Sequence, residues 1–134
     1  MLDDPSISDD VALYRRVHPQ LHVQWDENRQ CRRFTSAAFQ NTSRTLDMSV
    51  ALGDTLAKRG REPDSVLAEW PDWYLVSLTA GRVRAHEQGV LRDPLLSDPV
   101  HGNVVGEKPP PRRRALSREA SWVVAPPEAC AEEE

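Results

Sequence analysis

Residues 73–79 (WYLVSLT) restrict the possible folds of this sequence more than any other segment. Aromatic and β-branched residues in a short apolar run are typical of a β-strand. The run has enough apolar side chains to be buried on both of its faces, which requires packing above and below a sheet. We therefore predict a layered domain with this strand inside its sheet.

The other predicted elements surround this strand. Apolar alternation and turn residues predict strands at residues 11–17, 21–25, 32–39, 89–92 and 100–105, with 21–39 as a hairpin. Helical spacing and capping residues predict helices at 47–60, 64–70, 80–88 and 112–124, with Thr79 as a cap. This order predicts a single small α+β domain, with a mostly antiparallel sheet and three to four helices.

Charge divides the 134 residues into a mildly basic body with acidic ends. Residues 1–10 and 125–134 each carry four carboxylates and no Lys or Arg, whereas residues 11–124 carry 17 Lys and Arg against 13 Asp and Glu. We expect residues 1–10 to be a disordered acidic leader, 11–124 the folded domain, and 125–134 a disordered acidic tail.

Cysteine use and hydropathy indicate a soluble cytoplasmic protein. Cys31 and Cys130 are too few and too distant for a disulfide framework or a zinc site, so free thiols in a reducing compartment are expected. No apolar run is long enough to span a membrane, and the acidic N-terminus does not resemble a signal peptide. Neither a membrane partner nor a metal is predicted.

Several strong enzyme signatures are absent. The sequence has no phosphate loop, dinucleotide fingerprint, Cys-x-x-Cys pair, nucleophile elbow or Ser-His-Asp signature. His101, which enters a strand and precedes two glycines, either presents its imidazole to a ligand or bonds a loop carbonyl. Arg15 and Arg16 point to opposite faces of a strand, so an inward arginine needs a carboxylate or an anionic ligand, unless the strand is an edge strand with both arginines in water.

Tryptophans and arginines are candidates for a partner-binding surface. Trp70 and Trp73 flank a turn, and these two residue types are enriched at binding hot spots, although core packing is the alternative. Two arginine groups form either a joint basic surface or a solvated face: Arg29, Arg32 and Arg33, and Arg112, Arg113, Arg114 and Arg118. The modest body charge and the lack of interleaved aromatic residues make a nucleic-acid partner unlikely.

Four short motifs carry a family resemblance. They are Tyr14-Arg15-Arg16-Val17, Phe34-Thr35-Ser36-Ala37-Ala38-Phe39, Ser49-Val50, and residues 98–106 with His101 and two glycines. Over residues 11–124 the chain resembles small bacterial α+β proteins of no established activity. It is also similar to the ADP-ribosyltransferase-like fold, a resemblance that implies NAD as cofactor. Under it, Arg15 or Arg16 would hold the NAD phosphate, with Ser36 and Glu107 completing the site.

Two functional hypotheses follow. The first is a non-catalytic interaction module, an accessory or adaptor to another protein of the same cell or operon, which uses Trp70, Trp73, Arg112, Arg113 and Arg114 and needs no cofactor. The alternative is an NAD-dependent ADP-ribosyltransferase-like enzyme or toxin with Arg15, Arg16, Ser36, His101 and Glu107 as catalytic residues. A cleft shared by the arginines, Ser36 and His101 would distinguish the alternative from the first hypothesis.

Overall fold

The structure, a computed structural model, describes residues 2–42 and 45–131. Eight strands lie in that part of the chain: β1 (Ala12–Val17), β2 (Val23–Asp26), β3 (Cys31–Phe34), β4 (Asp47–Leu52), β5 (Tyr74–Thr79), β6 (Gly89–Arg92), β7 (His101–Val105) and β8 (Ser121–Val124). The same residues form three α-helices: α1 (Gly53–Lys58), α2 (Ala80–Ala85) and α3 (Pro110–Glu119). Two 3-10 helices span Ser36–Phe39 and Pro63–Leu67.

Six of these strands form one antiparallel sheet in the order β6-β7-β4-β1-β5-β8, and β2 and β3 form a separate hairpin. The fold is therefore α+β with an antiparallel sheet, as predicted. It has three α-helices rather than four, because the predicted helix at 64–70 is a 3-10 helix.

Side chains alternate across the sheet and supply two cores, one on each face. Leu13 and Val17 of β1 belong to the larger core, which Phe39, Val83 of α2 and Leu116 of α3 close from outside. On the opposite face, Leu75 packs with Leu56 of α1 and the buried residues of the second 3-10 helix. The main sheet thus lies between two helical layers, and the burial predicted for residues 73–79 is confirmed for Leu75, Val76 and Leu78.

Two predicted helices contain strands. The predicted helix at 47–60 begins with β4, whose Met48, Val50 and Leu52 alternate toward the larger core, and only Gly53–Lys58 is helical. The predicted helix at 112–124 ends at Ala120, whose backbone is extended, and β8 follows it. Both segments pair with strands that are distant in sequence, and the local spacing of apolar residues does not indicate such pairing.

The leader expected to be disordered packs onto the domain. Ile7 is fully buried in the larger core, and the Asp4 amide donates to the Val90 carbonyl at 2.9 Å. The Asp3 carboxylate accepts from the Val90 amide at 2.8 Å and pairs with Arg84 at 3.1 Å. Asp3 thus accepts and Asp4 donates a hydrogen bond at the β6 edge of the sheet, so the expectation of disorder was wrong for residues 2–10.

The expected tail and the expected free thiols also differ from the structure. Cys31 and Cys130 form a disulfide, with their Cα atoms 5.0 Å apart across a sequence separation of 99. Two backbone bonds of 2.8 Å flank it, one from the Arg32 amide to the Glu128 carbonyl and one from the Cys130 amide to the Arg32 carbonyl. Tertiary folding brings the two cysteines together, so their distance in sequence does not indicate whether they form a disulfide. The expectation for residues 132–134 lies outside the described residues.

Candidate functional site

The main sheet splits between β1 and β4. These strands pair only at Leu13 with Leu52 and at Tyr14 with Ala51, whereas β1 pairs with β5 along its whole length. Beyond Tyr14 the backbones of β1 and β4 have no ladder between them. A cavity of about 40 Å³ lies at this split, lined by Tyr14, Arg15, Arg16, Ser49, Val50, Ala51, Val66 and His101.

Arg15 reaches across the split on the side of the larger core. Its Nε donates to the Ala38 carbonyl and its Nη1 to the Ser49 carbonyl, both at 2.9 Å. Burial, and secondarily the charge of Arg16, lower the pKa of Arg15 to about 10. The predicted inward arginine is therefore present, and two backbone carbonyls rather than a carboxylate accept from it.

Arg16 points to the opposite face. Its guanidinium lies 3.9 Å from the centroid of the Trp70 ring and 3.9 Å from the Asp98 carboxylate. Burial lowers the pKa of Arg16, and the charges of Asp98 and Glu69 oppose this shift. Arg16 also lines a second cavity, of about 350 Å³, that shares Val66 with the cavity at the split. The two cavities therefore adjoin at this arginine.

His101 bonds a serine and an aspartate beside Arg16. Its Nε2 lies 3.1 Å from Ser49 Oγ, and its Nδ1 lies 2.9 Å from the Asp93 carbonyl and 3.2 Å from Asp93 Oδ2. A carbonyl and a carboxylate can only accept, so Nδ1 carries the proton and Nε2 accepts from the Ser49 hydroxyl. Asn103 donates to Asp93 Oδ2 at 3.1 Å and so orients the carboxylate.

The structure brings together only part of the catalytic set that the ADP-ribosyltransferase resemblance implies. Arg15, Arg16 and His101 line the cavity at the split. Ser36 lines another cavity, formed with Arg33 and α3, and Glu107 lines a third, formed with Glu87 and Arg112. The serine that meets His101 is Ser49, from the Ser49-Val50 motif.

The predicted partner-binding residues lie in two regions. Trp70 and Trp73 are half-buried with ring centroids 6.3 Å apart, and Trp73 also contacts His18 edge to face at 4.9 Å. Arg112 donates to the His86 carbonyl at 2.8 Å and pairs with Glu87, which holds it to the helical layer. Arg114 is exposed and lines the cavity that contains Ser36.

Four arginines line one continuous depression, which we call the arginine groove. It consists of two cavities of about 490 and 390 Å³ that share Arg33, Ser117 and Arg118. Arg29 and Arg114 complete its cationic lining, so two members of each arginine group seen in the sequence line the same groove. The whole lining is Gln24, Arg29, Arg33, Phe34, Thr35, Ser36, Arg114, Ser117, Arg118, Ala120, Ser121, Trp122, Cys130 and Ala131, and none of these residues is acidic.

The walls of the arginine groove come from the hairpin, α3 and β8. Arg114 and Arg118 are one helical turn apart, so both project from the same side of α3. Opposite them, Arg33 donates to Gln24 at 2.9 Å and lies 3.8 Å from Asp26. Arg114 and Arg118 form no ion pair with any residue from 2–42 or 45–131.

An aromatic wall and a buried hydroxyl complete the arginine groove. The Trp122 ring is fixed edge to face by Phe34, at 5.0 Å between centroids, and by Tyr74, at 6.1 Å. Thr35 Oγ1 is buried and has no hydrogen-bond partner among the described atoms. The groove thus offers guanidinium donors and one apolar surface.

Sequence reasoning found Arg15, Arg16 and His101 but not Ser49 and Asp93, their neighbours in space. Asp93 follows β6 and Ser49 lies on β4, and these segments meet only because β7 lies between β4 and β6. The aromatic wall was missed as well, because Trp122 was expected on a helix. The one available signal was Ser49-Val50, which the sequence motifs included without a role.

Residues 2–42 and 45–131 contain neither a cluster of three or more potential metal ligands nor a helix of membrane-spanning length and hydropathy. Comparisons with protein-family models, curated proteins and solved structures found no match to this chain.

Proposed function

We propose that this chain is a protein-interaction module that binds an acidic segment of a partner protein in the arginine groove. The observation that carries the proposal is the convergence of Arg29, Arg33, Arg114 and Arg118 in a depression whose lining from residues 2–42 and 45–131 contains no acidic side chain. Guanidinium groups make forked hydrogen bonds to carboxylates, which suits them to this ligand better than lysines. The partner would be another protein of the same cell or operon.

The aromatic wall favours a peptide over a free anion. Trp122 and Phe34 give the arginine groove an apolar side against which a peptide side chain can pack, and tryptophan is frequent at binding hot spots. The combined volume suits a short extended segment.

Overall charge favours a short acidic segment over nucleic acid. The whole chain carries a formal charge of −4, which repels a long polyanion beyond the arginine groove. A short acidic peptide interacts mainly with the local arginines, because salt screens exposed charges over roughly 10 Å. ADP-ribosyl transfer has less support, since Ser36 and Glu107 lie away from the cavity of His101.

The Cys31–Cys130 disulfide bears on where the module works. Disulfides persist in oxidising compartments and are rare in the reducing cytosol. Cys130 lines the arginine groove, so the bond also holds one of its walls in place. We therefore propose an oxidising compartment in place of the cytoplasmic location expected from the sequence.

The proposal is tested by fluorescence anisotropy with a fluorescein-labelled octaglutamate peptide at low salt. Each exposed ion pair contributes about 0.2–1 kcal/mol, so the arginines together supply about 1–4 kcal/mol. In the double variant Arg33→Glu/Arg118→Glu two attractions become repulsions, which costs about 0.8–4 kcal/mol, so the affinity should fall at least about fourfold.

The matched control is Lys58→Glu/Arg59→Glu, which changes the net charge equally at exposed residues outside the groove. Measured at high salt, where screening removes the general effect of net charge, the affinity of this control for the peptide should stay within about twofold of the parent's affinity. No binding by the parent, or equal losses in both variants, would overturn the proposal. Tighter binding of an oligothymidylate of equal charge would also overturn it, in favour of a nucleic-acid ligand.

A further inference from the structure

The Ser49–His101–Asp93 contacts form an arrangement that the interaction function does not use. Ser49 Oγ is 3.1 Å from His101 Nε2, the Asp93 carbonyl accepts from Nδ1 at 2.9 Å, and the Asp93 carboxylate lies 3.2 Å from the same nitrogen. A serine hydroxyl bonded to the unprotonated nitrogen of an oriented imidazole is the arrangement that activates serine as a nucleophile. Nothing in the packing of the sheet requires this polar chain on a face that is otherwise partly apolar.

The site is open to a ligand at the serine. Ser49 is only half-buried, and the histidine side chain retains 14% of its exposure. Both residues line the cavity at the split, together with Tyr14 and Arg16. A phenol and a guanidinium are suitable donors for an oxygen that gains negative charge when a carbonyl beside Ser49 is attacked.

The sizes of the two adjoining cavities define the substrate class. A volume of about 40 Å³ accepts roughly three water-sized groups, which equals the three heavy atoms of an acetyl group. The neighbouring cavity of about 350 Å³ shares Arg16 and Val66 with it and is also lined by Trp70, Glu69 and Asp98. We propose that Ser49 and His101 are the catalytic residues of an esterase site that takes short acyl esters of aromatic alcohols, with the alcohol part beside Trp70.

The chemistry of the step balances without a further reagent. Ser49 Oγ forms a bond to the acyl carbon while its proton passes to His101 Nε2. The bond from that carbon to the alcohol oxygen then breaks, and the histidine gives its proton to the departing alcohol. Water repeats the sequence on the acyl-serine, which releases the carboxylic acid and restores Ser49.

The first test is labelling of the full chain by a fluorophosphonate. Ser49 Oγ would attack phosphorus and displace fluoride, and His101 would accept the proton. Peptide mapping by mass spectrometry should place the adduct on Ser49. An adduct spread over several serines, or no adduct, would overturn the proposal, and this outcome does not depend on the folding of any variant.

The second test measures hydrolysis of 4-acetoxybenzoate, an acetyl ester of an aromatic alcohol. Ser49→Ala should abolish turnover and His101→Gln should lower it by about 10²–10⁴-fold. Ser77→Ala is the matched control, because Ser77 lies opposite Tyr14 on the same face of the sheet, and its rate should stay within about twofold. The hexanoyl ester should react at least about tenfold more slowly, since its chain exceeds the small cavity.

Asp93 is a positioning residue here, acting through the imidazole. In Asp93→Asn the kcat for 4-acetoxybenzoate should fall about tenfold or more while KM stays within about twofold, because the imidazolium loses its carboxylate. A change in KM alone would overturn that role. Hydrolysis by Ser49→Ala at the parent rate would overturn the esterase site itself.

Discussion

Removal of the Cys31–Cys130 disulfide is expected to destabilise the protein more than any other change outside its cores. The bond closes a loop with a sequence separation of 99, and this loop contains β4 to β8 and all three helices. In the double variant Cys31→Ser/Cys130→Ser, the unfolded chain regains nearly all the freedom that this closure removes. The native contacts change little, because two backbone bonds still join Arg32 to the tail.

The expected magnitude follows from the loop length. Closing a loop of about 100 residues removes chain entropy equivalent to about 4.7 kcal/mol at 25 °C in the unfolded ensemble. Residual structure in unfolded chains reduces such effects, so we expect the free energy of unfolding to fall by about 3–5 kcal/mol. Domains of this size are stable by only about 5–15 kcal/mol. The bond therefore accounts for a large fraction of the total stability.

Urea denaturation followed by tryptophan fluorescence measures this difference. With an m value of about 2 kcal/mol/M, the midpoint should move down by about 2 M. The control is the same double variant in reductant, which should show no further change, while the parent in reductant should match the variant. A loss below about 1 kcal/mol would refute the loop-entropy reasoning. Unchanged binding of octaglutamate by the variant would show that the bond does not hold the wall of the arginine groove.

Three other perturbations test the interior. Burial and the charge of Arg15 lower the pKa of Lys108 from 10.5 to about 8, so between these pH values the unfolded chain binds more protons and stability rises with pH. Urea titrations should show this rise, at most about 1.4 kcal/mol per pH unit, in the parent but not in Lys108→Met. Arg15→Met should cost about 2–4 kcal/mol in the same assay, because two carbonyls lose a charged donor, and a variant as stable as the parent would contradict this. Leu116→Ala should lower the free energy of unfolding by about 2–5 kcal/mol, since the side chain is fully buried. Its control, Leu96→Ala at an exposed position, should change that free energy by less than about 0.5 kcal/mol. Equal effects of the two substitutions would refute the assigned core.

Local signals predicted the elements whose identity depends on near neighbours. Alternation and turn chemistry identified β1, the hairpin and β5. Thr79 was identified as the cap of α2, and its hydroxyl accepts from the Arg82 amide at 3.3 Å. Gly60 was expected to end a helix, and it has a positive φ of 64° just beyond α1, where glycine costs least.

Local signals failed where distant pairing decides between helix and strand. Met48 and Leu52 fit a helical face as well as an alternating strand, and only β7 and β1 on either side settle the choice. Charge composition likewise suggested disorder at residues 1–10. It could not show that Ile7 is buried in the larger core, nor that the neighbouring aspartates form hydrogen bonds at the edge of the sheet.

The sequence by itself determined the α+β class, most strands and the residue types available for chemistry: paired arginines on β1, a histidine entering β7 and two groups of arginines far apart in the chain. Tertiary structure alone decided which of these meet. Ser49, Asp93 and His101 come from segments up to 52 residues apart, and Arg33 and Arg118 face each other only because α3 packs beside the hairpin. The physical reason is that strand register and helix packing are set by burial of apolar surface from the whole chain. Polar contacts at the split and in the arginine groove follow from that arrangement.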